Sequence, residues 1–174
     1  MATACRAVRR RRADRKPIDD AAAADPAAAR LAALKLLNRR DFAAGELKGR
    51  LLERGVAAET AESTVGQLVR EHFVDDARYA GHYVTWHAGR GQGPVRIAMD
   101  LREAGIDAAT IESAVDARNP VWRERCAALR RRRFGAEAPD DWKERGKQAR
   151  FLQYRGFTGD QVRAALGNDI ELDE

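Results

Sequence analysis

A chain of 174 residues with 44% apolar, 34% charged and 6% aromatic residues carries a formal net charge of +5. The abundance of Ala, Leu, Arg and Glu is typical of helical proteins, and no apolar run approaches the roughly 20 residues of a membrane-spanning helix. No apolar stretch follows the arginine-rich start as in a secretory signal, and two cysteines are too few for a disulfide framework. We therefore expect a cytoplasmic protein, with no membrane association.

The first ordered element is expected at Asp25-Pro26, where a helix-capping residue precedes a proline at the first helical position. Before it, residues 1–25 are basic and poor in large apolar residues, which indicates a flexible arm. Apolar residues then recur every three or four positions, beginning with Leu31, Leu34 and Leu37. No stretch alternates between apolar and polar residues for long enough to predict a strand, so the predicted fold class is all-α.

An internal repeat is the most informative feature of the sequence. Segments 51–56, 101–106 and 152–157 each begin with leucine and end with a glycine followed by an apolar residue. The glycines, Gly55, Gly105 and Gly156, lie 50 and 51 residues apart. Each suits the left-handed position that ends a helix, and the next residue suits the apolar contact that accompanies this cap.

The repeat predicts a tandem array of three three-helix, helix-turn-helix-like units, which we expect to be elongated and curved because such small units must stack to bury a core. The predicted domains are a flexible basic arm at 1–25, repeats at 26–73, 74–118 and 119–168, and an acidic tail at 169–174. Helices are predicted at 27–40, 43–54, 58–72, 76–88, 94–104, 108–117, 120–134, 140–155 and 159–167.

Several polar residues are interpreted as helix caps and not as catalytic or ligand-binding residues. Asp75-Asp76 precedes the fourth predicted helix, and Asp107 and Thr158 precede two shorter ones. The glycine-rich segment 89–93 lacks the Lys-Ser/Thr of a phosphate-binding P-loop and is predicted to be a tight linker. Cys126 lies among apolar helix positions, where it would serve as a small hydrophobic residue.

No set of residues predicts catalysis, a metal site or a cofactor. The three histidines, His72, His82 and His87, lack the companions that metal-ligand spacing requires. The serines have no neighbouring base that would activate a nucleophile. We therefore do not expect an enzyme, and a metal-dependent nuclease is disfavoured because no carboxylate cluster is present.

Positive charge is concentrated near the third repeat, which indicates a polyanionic partner. In a helix, the run 130–133 must turn at least two arginines towards solvent. A solvated helix face is the alternative interpretation of this charge. The candidate partner- or DNA-binding face comprises Arg123, Arg130, Arg131, Arg132, Arg133, Lys143, Lys147 and Arg150.

Aromatic residues allow two interpretations. Stacking on the bases of a single strand is one possibility. Helical spacing favours core packing for most of them. The residues concerned are Tyr79, Tyr83, Trp86, Trp122 and Trp142.

The motifs resemble those of the RecX family in order and spacing over residues 27–167. The segments that carry the resemblance are 33–42, 46–56, the paired-aspartate segment 73–80, 93–106 and 155–163. One departure is Ala43-Ala44, where the family often has Ser or Thr before the second helix. At that position we expect a weaker cap or one supplied by Asp41.

The resemblance implies tandem three-helix repeats and a role as a modulator of the RecA recombinase in DNA repair and recombination. RecX proteins bind the RecA–DNA filament, where they inhibit ATP hydrolysis and strand exchange or limit filament growth. By this resemblance the expected partner is the RecA filament, with DNA as a further ligand of the basic face, and the protein is expected to be a monomer. A stand-alone DNA-binding protein is the alternative, because three-helix units resemble helix-turn-helix domains.

Overall fold

A computed structural model describes residues 24–167 of the chain, and within them nine α-helices and no strands are found. The all-α prediction is thereby confirmed. The helices are α1 Pro26–Leu37, α2 Ala44–Leu52, α3 Ala58–Arg70, α4 Asp76–Gly89, α5 Pro94–Glu103, α6 Ala108–Ala114, α7 Val121–Phe134, α8 Trp142–Tyr154 and α9 Gly159–Ala165. The predicted basic arm and acidic tail lie outside the described residues, apart from residues 24 and 25.

The described residues pack as two compact units. One comprises residues 24–40 and 47–73, and the other comprises residues 41–46 and 74–167.

In the first unit, α1 packs on α3 through small side chains. Ala29 and Ala33 are fully buried and Leu36 is nearly so, whereas Leu31 is 55% exposed. Of the predicted stripe, Leu34 and Leu37 are partly buried and only Leu31 is exposed, so the fully buried face of this helix lies to one side of the stripe. The alanines allow the close approach of α1 that longer leucines would prevent.

In the second unit, one hydrophobic core joins helices α4 to α9. The largest fully buried apolar side chains are Ile97 and Leu101 of α5 and Leu152 of α8, and Trp122 and Cys126 of α7 are buried with them. Helix α9 packs against both α7 and α8. Burial raises the pKa of the Cys126 thiol to about 12, so this residue behaves as the predicted small hydrophobic residue.

The three repeated glycines end their helices in the same way. Gly55, Gly105 and Gly156 have φ of 90°, 85° and 89°, in the left-handed region that favours glycine. In each case the next amide donates to the carbonyl of the repeat's leucine, at 3.2 Å. This six-to-one bond is that of a Schellman cap, so the predicted caps are confirmed.

The predicted N-terminal caps are also present. The carboxylate of Asp75 accepts from the Arg78 amide and that of Asp107 from the Thr110 amide, both at 2.9 Å. Thr158 forms a full capping box with Gln161. The hydrogen bonds from Thr110 lower the pKa of Asp107 below its ordinary value.

The second aspartate of the pair caps a different helix. Asp76 accepts a hydrogen bond at 2.8 Å from the amide of Ala44, the first residue of α2. Sequence reasoning missed this contact because the two residues are 32 positions apart. The paired aspartates therefore serve two helix starts, one on their own helix and one on α2.

Within the second unit, the start of one helix meets the end of a later one. The amides of Gly93 and Val95, at the start of α5, donate to the carbonyls of Arg155 and Gly156, at the end of α8, at 2.7 and 3.0 Å. The first amides and the last carbonyls of a helix have no hydrogen-bond partner within that helix. Each of these two helix ends therefore supplies partners for the other. A Cβ added to Gly93 would lie 2.4 Å from the Gly156 carbonyl.

The start of α2 meets the end of α5 in a related way. A Cβ on Gly45 would lie 2.8 Å from the Ala104 carbonyl oxygen and 2.9 Å from the Gly105 Cα. The two junctions therefore depend on backbone approaching backbone, which only glycine allows at such distances.

Candidate functional site

The candidate basic face lies on α7 and α8, and the structure brings only part of it together. Seven of the eight predicted residues are exposed: Arg123, Arg131, Arg132, Arg133, Lys143, Lys147 and Arg150. Arg123 lies in the first turn of α7, about 12 Å along the axis from the arginines of its last turn. It therefore stands apart from those arginines.

Arg130 does not belong to the exposed face. Its side chain is only 4% exposed, and its guanidinium donates to the carbonyls of Gly135, Ala136 and Glu137, the shortest bond being 2.7 Å. It thus anchors the loop that joins α7 to α8. The sequence contained the signal, since Arg130 follows buried Cys126 by four residues on one helix face.

Three cations form a continuous stripe on α8. Lys143, Lys147 and Arg150 are exposed and follow one another at spacings of four and three residues, which places them on one side of the helix. Tyr154, four residues further, continues the same stripe. Lys147 also pairs with Glu144 at 3.3 Å, an exposed contact that contributes little to stability.

Two phenylalanines join the ends of α7 and α8. The rings of Phe134 and Phe151 meet edge to face, with centroids 5.3 Å apart. Arg133 and Arg150 each directly precede one of these rings, and Arg133 lies over Phe134 at 5.6 Å. We define the α7–α8 basic face as the exposed residues Arg131, Arg132, Arg133, Lys143, Lys147 and Arg150.

The aromatic residues divide between core and surface. Trp122 is buried and donates from its indole to the Asp116 carbonyl at 3.0 Å, as core packing predicted. Tyr83 is partly buried, and its burial and the Asp100 carboxylate raise its pKa. Tyr79 is also partly buried, whereas Trp86 and Trp142 are 52% and 82% exposed, so these two are the exceptions to a prediction made for most of the five residues.

The remaining sequence motifs have structural roles. Gly91 has a φ of 80° and forms a tight turn after α4, as the linker interpretation predicted. No group of three potential metal ligands is found among the residues that the structure describes. None of the helices in that part of the chain is long and apolar enough to cross a membrane.

Comparison with family models covers all three predicted repeats. The models described as the first, second and third three-helix domains of RecX match residues 29–68, 75–115 and 123–166, in that order.

Similar proteins and structures carry the same description. The chain is 42% identical over 147 residues to the regulatory protein RecX of Halorhodospira halophila, covering 84% of this chain and 91% of that protein. It is 36% identical to the regulatory protein RecX of Pseudomonas putida, covering 84% and 94%.

A crystal structure of RecX from Lactobacillus salivarius has a TM-score of 0.70 at 21% identity, covering 82% of this chain and 95% of that one. A second RecX structure, with a TM-score of 0.69 at 23% identity, covers 83% and 72%. At these identities the two structures support the fold alone. From the domain matches and the sequence identities together, the chain belongs to the RecX family of regulatory proteins.

Proposed function

We propose that the protein binds the RecA–DNA filament and modulates, mostly by inhibition, RecA's ATP hydrolysis, recombinase activity and filament growth. The observation that carries this proposal is the ordered match to all three RecX domains, together with 42% identity over nearly the whole length of a regulatory relative. A chain with the same three domains in the same order is expected to act on the same target, RecA. Acting on RecA places the protein in the cytoplasm.

The α7–α8 basic face supports an electrostatic contribution to this binding. A recombinase filament carries DNA phosphates, and neutralising them releases counterions that drive association. Exposed arginine and lysine side chains spread along α7 and α8 suit a long polyanionic partner better than a small anion. No cofactor is needed for such a role, and a monomer suffices for it.

The direct test is ATP hydrolysis by the cognate RecA on single-stranded DNA, with this protein added below the RecA concentration. Inhibition at substoichiometric amounts is expected, because a regulator that stops filament growth affects many RecA subunits per molecule bound. Unchanged hydrolysis over the whole titration would contradict the proposal.

The alternative is a stand-alone DNA-binding protein, which the clustering of exposed cations on α7 and α8 also favours. It predicts tight binding to bare DNA without RecA, with an affinity that falls steeply as salt rises. Such binding, combined with no effect on RecA hydrolysis, would establish the alternative.

A further inference from the structure

The described part of the chain ends beside the helices that carry the α7–α8 basic face. Gly167 follows α9, and a Cβ placed on it would lie 4.0 Å from the Cβ of Ala138, in the loop that joins α7 to α8. The preceding residue is held to α8, because the Arg145 guanidinium donates to the Leu166 carbonyl at 3.2 Å. The residues that follow Gly167 therefore start next to this loop and to α8.

Those residues are strongly acidic. The acidic tail, residues 169–174, contains four carboxylate side chains and neither lysine nor arginine. Asp169, Glu171 and Asp173 occupy every second position in it. Alternate side chains of an extended chain share one side, at intervals of about 6.6 Å, so these three carboxylates can form a single row.

The exposed cations of α8 form a row of similar spacing. Helix geometry places Lys143, Lys147 and Arg150 about 6 and 4.5 Å apart along the axis of α8. The row is therefore about 10.5 Å long, whereas the seven residues after Gly167 reach up to about 24 Å when extended. The tail is long enough to leave the loop and lie along all three cations.

Charges close to Gly167 favour this path. The loop at 135–141 contains three carboxylate side chains and neither lysine nor arginine, so it repels an acidic segment that starts beside it. The one cation of α9, Arg163, is already paired with Asp160. On α8, Lys147 pairs with Glu144 at 3.3 Å, but this exposed contact contributes little and a tail carboxylate can replace it.

We propose that the acidic tail folds back onto the α7–α8 basic face and competes there with polyanions. Tail carboxylates and a polyanion need the same cations, so only one of them occupies the face at a time. Tethering raises the local concentration of the tail to about the millimolar range, which allows a weak contact to persist. The affinity of the face for a polyanion is then reduced in proportion to the fraction of molecules in which the tail has left it.

The inference deepens the proposed function, because it assigns an autoinhibitory contact to the basic face on which that function rests. Its first test uses neither RecA nor nucleic acid. Failure of the inference is therefore distinguishable from a failure of the hydrolysis experiment.

Two full-length variants with the same change in net charge are compared. The neutral-tail variant combines Asp169→Asn, Glu171→Gln and Asp173→Asn. The control variant combines Glu59→Gln, Glu103→Gln and Glu112→Gln, at exposed positions on α3, α5 and α6. Circular dichroism checks that both keep the helicity of the parent chain.

The first experiment detects the contact with a nitroxide spin label at Leu172→Cys. Cys5→Ser removes the other sequence position open to labelling, and Cys126 is buried. The label is expected to broaden the amide NMR signals of residues 143–150 more strongly in the parent and control chains than in the neutral-tail variant. A neutral tail samples the same tethered volume without attraction, so the difference between the chains measures the contact. The difference should fade as salt rises, because salt screens exposed charges.

A change on the helix side tests which cations hold the tail. Lys143→Gln combined with Lys147→Gln is expected to reduce the broadening as far as the neutral tail does. Arg70→Gln combined with Arg102→Gln removes two exposed arginines from other helices and is expected to leave the broadening unchanged.

The second experiment measures the consequence for a polyanion, with fluorescein-labelled oligothymidylate as the probe. The neutral-tail variant is expected to bind it about fivefold more tightly than the parent chain at low salt. The control variant is expected to stay within about twofold of the parent, because its added charge lies away from the face.

Three results would overturn the proposal. One is equal broadening in the parent chain and in the neutral-tail variant. Another is an equal gain in affinity for the neutral-tail and control variants, which would show a general effect of net charge. The third is no gain in either variant, including the case in which none of the three chains binds the probe.

Discussion

Helices α5 and α8 occupy equivalent positions in their repeats but begin in different ways. Pro94 starts α5 eleven residues before Gly105, as Ala44 starts α2 eleven residues before Gly55. Trp142 starts α8 fourteen residues before Gly156, so this helix is longer by almost one turn. Its first amides are capped by its own Asp141, whereas those at the start of α5 bond to carbonyls at the end of α8.

The two helix starts differ in whether backbone from another repeat or a side chain next to the helix supplies the cap. At the start of α5, a glycine removes the side chain and the neighbouring backbone supplies the cap. At α8, Glu144 stands at the position of Gly93, and Gly146, the counterpart of Gly45 at the start of α2, has nothing within 4 Å of where its Cβ would be. Trp142 and Lys143 are correspondingly exposed there. The helix whose start is capped by its own aspartate is thus the one that presents aromatic and cationic side chains.

The largest expected difference in stability is between substitutions at Gly93 and at Gly146. Gly93→Ala should destabilise the fold by about 3 kcal/mol, because its Cβ would overlap the Gly156 carbonyl and break the junction's hydrogen bonds. Gly146→Ala, in an open helical position, should instead stabilise it by up to about 1 kcal/mol. Urea unfolding of both variants measures the difference, and equal effects would contradict the comparison.

The loop before α8 provides the next test. Arg130→Met should destabilise the protein by about 1–3 kcal/mol, because the carbonyls of Gly135, Ala136 and Glu137 lose their donor in a partly buried setting. Arg131→Met, one position along on the exposed side, should stay within about 0.5 kcal/mol of the parent. Thermal unfolding of the pair compares them, and a large effect at Arg131 would show that this side chain also packs.

Asp76 caps α2 and not only its own helix, so its removal should affect the start of α2. Asp76→Ala should destabilise the protein by about 1 kcal/mol and speed amide exchange at the start of α2, because Ala44 donates to this carboxylate. Asp141→Ala removes the cap that α8 supplies for itself and should speed exchange in α8 alone. Hydrogen exchange resolved by peptide locates both changes, and an unchanged α2 in Asp76→Ala would be evidence against this cap on α2.

The smallest effect concerns the cap after α5. Because Thr110 lowers the pKa of Asp107 in the folded state, that carboxylate stabilises the fold above its unfolded-state pKa. The stabilisation is lost as the pH falls through the lower folded-state pKa. Thr110→Val should therefore raise the pKa of Asp107 towards its ordinary value. An NMR titration of the Asp107 carboxyl measures the shift, and an unchanged pKa would rule out the hydroxyl as its cause.

Local features of the fold were predictable from the sequence, and contacts between distant segments were not. The glycine caps and the caps at Asp75, Asp107 and Thr158 depend on residues within one turn, so spacing alone reveals them. The junction between Gly93 and Gly156 joins residues from separate repeats, and no local pattern marks it.

The candidate site shows the same division. The exposed arginines of the run 131–133 follow from helix geometry, and the burial of Arg130 follows from the apolar spacing of α7 once Cys126 is taken as a core residue. The exposure of Trp142 could not be predicted, because a tryptophan at helical spacing normally packs in a core. It depends on α8 extending past the position where the equivalent helices meet a neighbour.

We propose that the protein binds the RecA–DNA filament through the α7–α8 basic face. The most direct test is the affinity of the Arg131→Glu, Arg133→Glu double variant for RecA filaments on single-stranded DNA, beside an Arg70→Glu, Arg102→Glu control. Both variants change the net charge equally and alter exposed arginines. We predict that the first binds at least about tenfold more weakly at unchanged helicity, while the control binds like the parent chain. Equal affinities of the two variants would contradict the account.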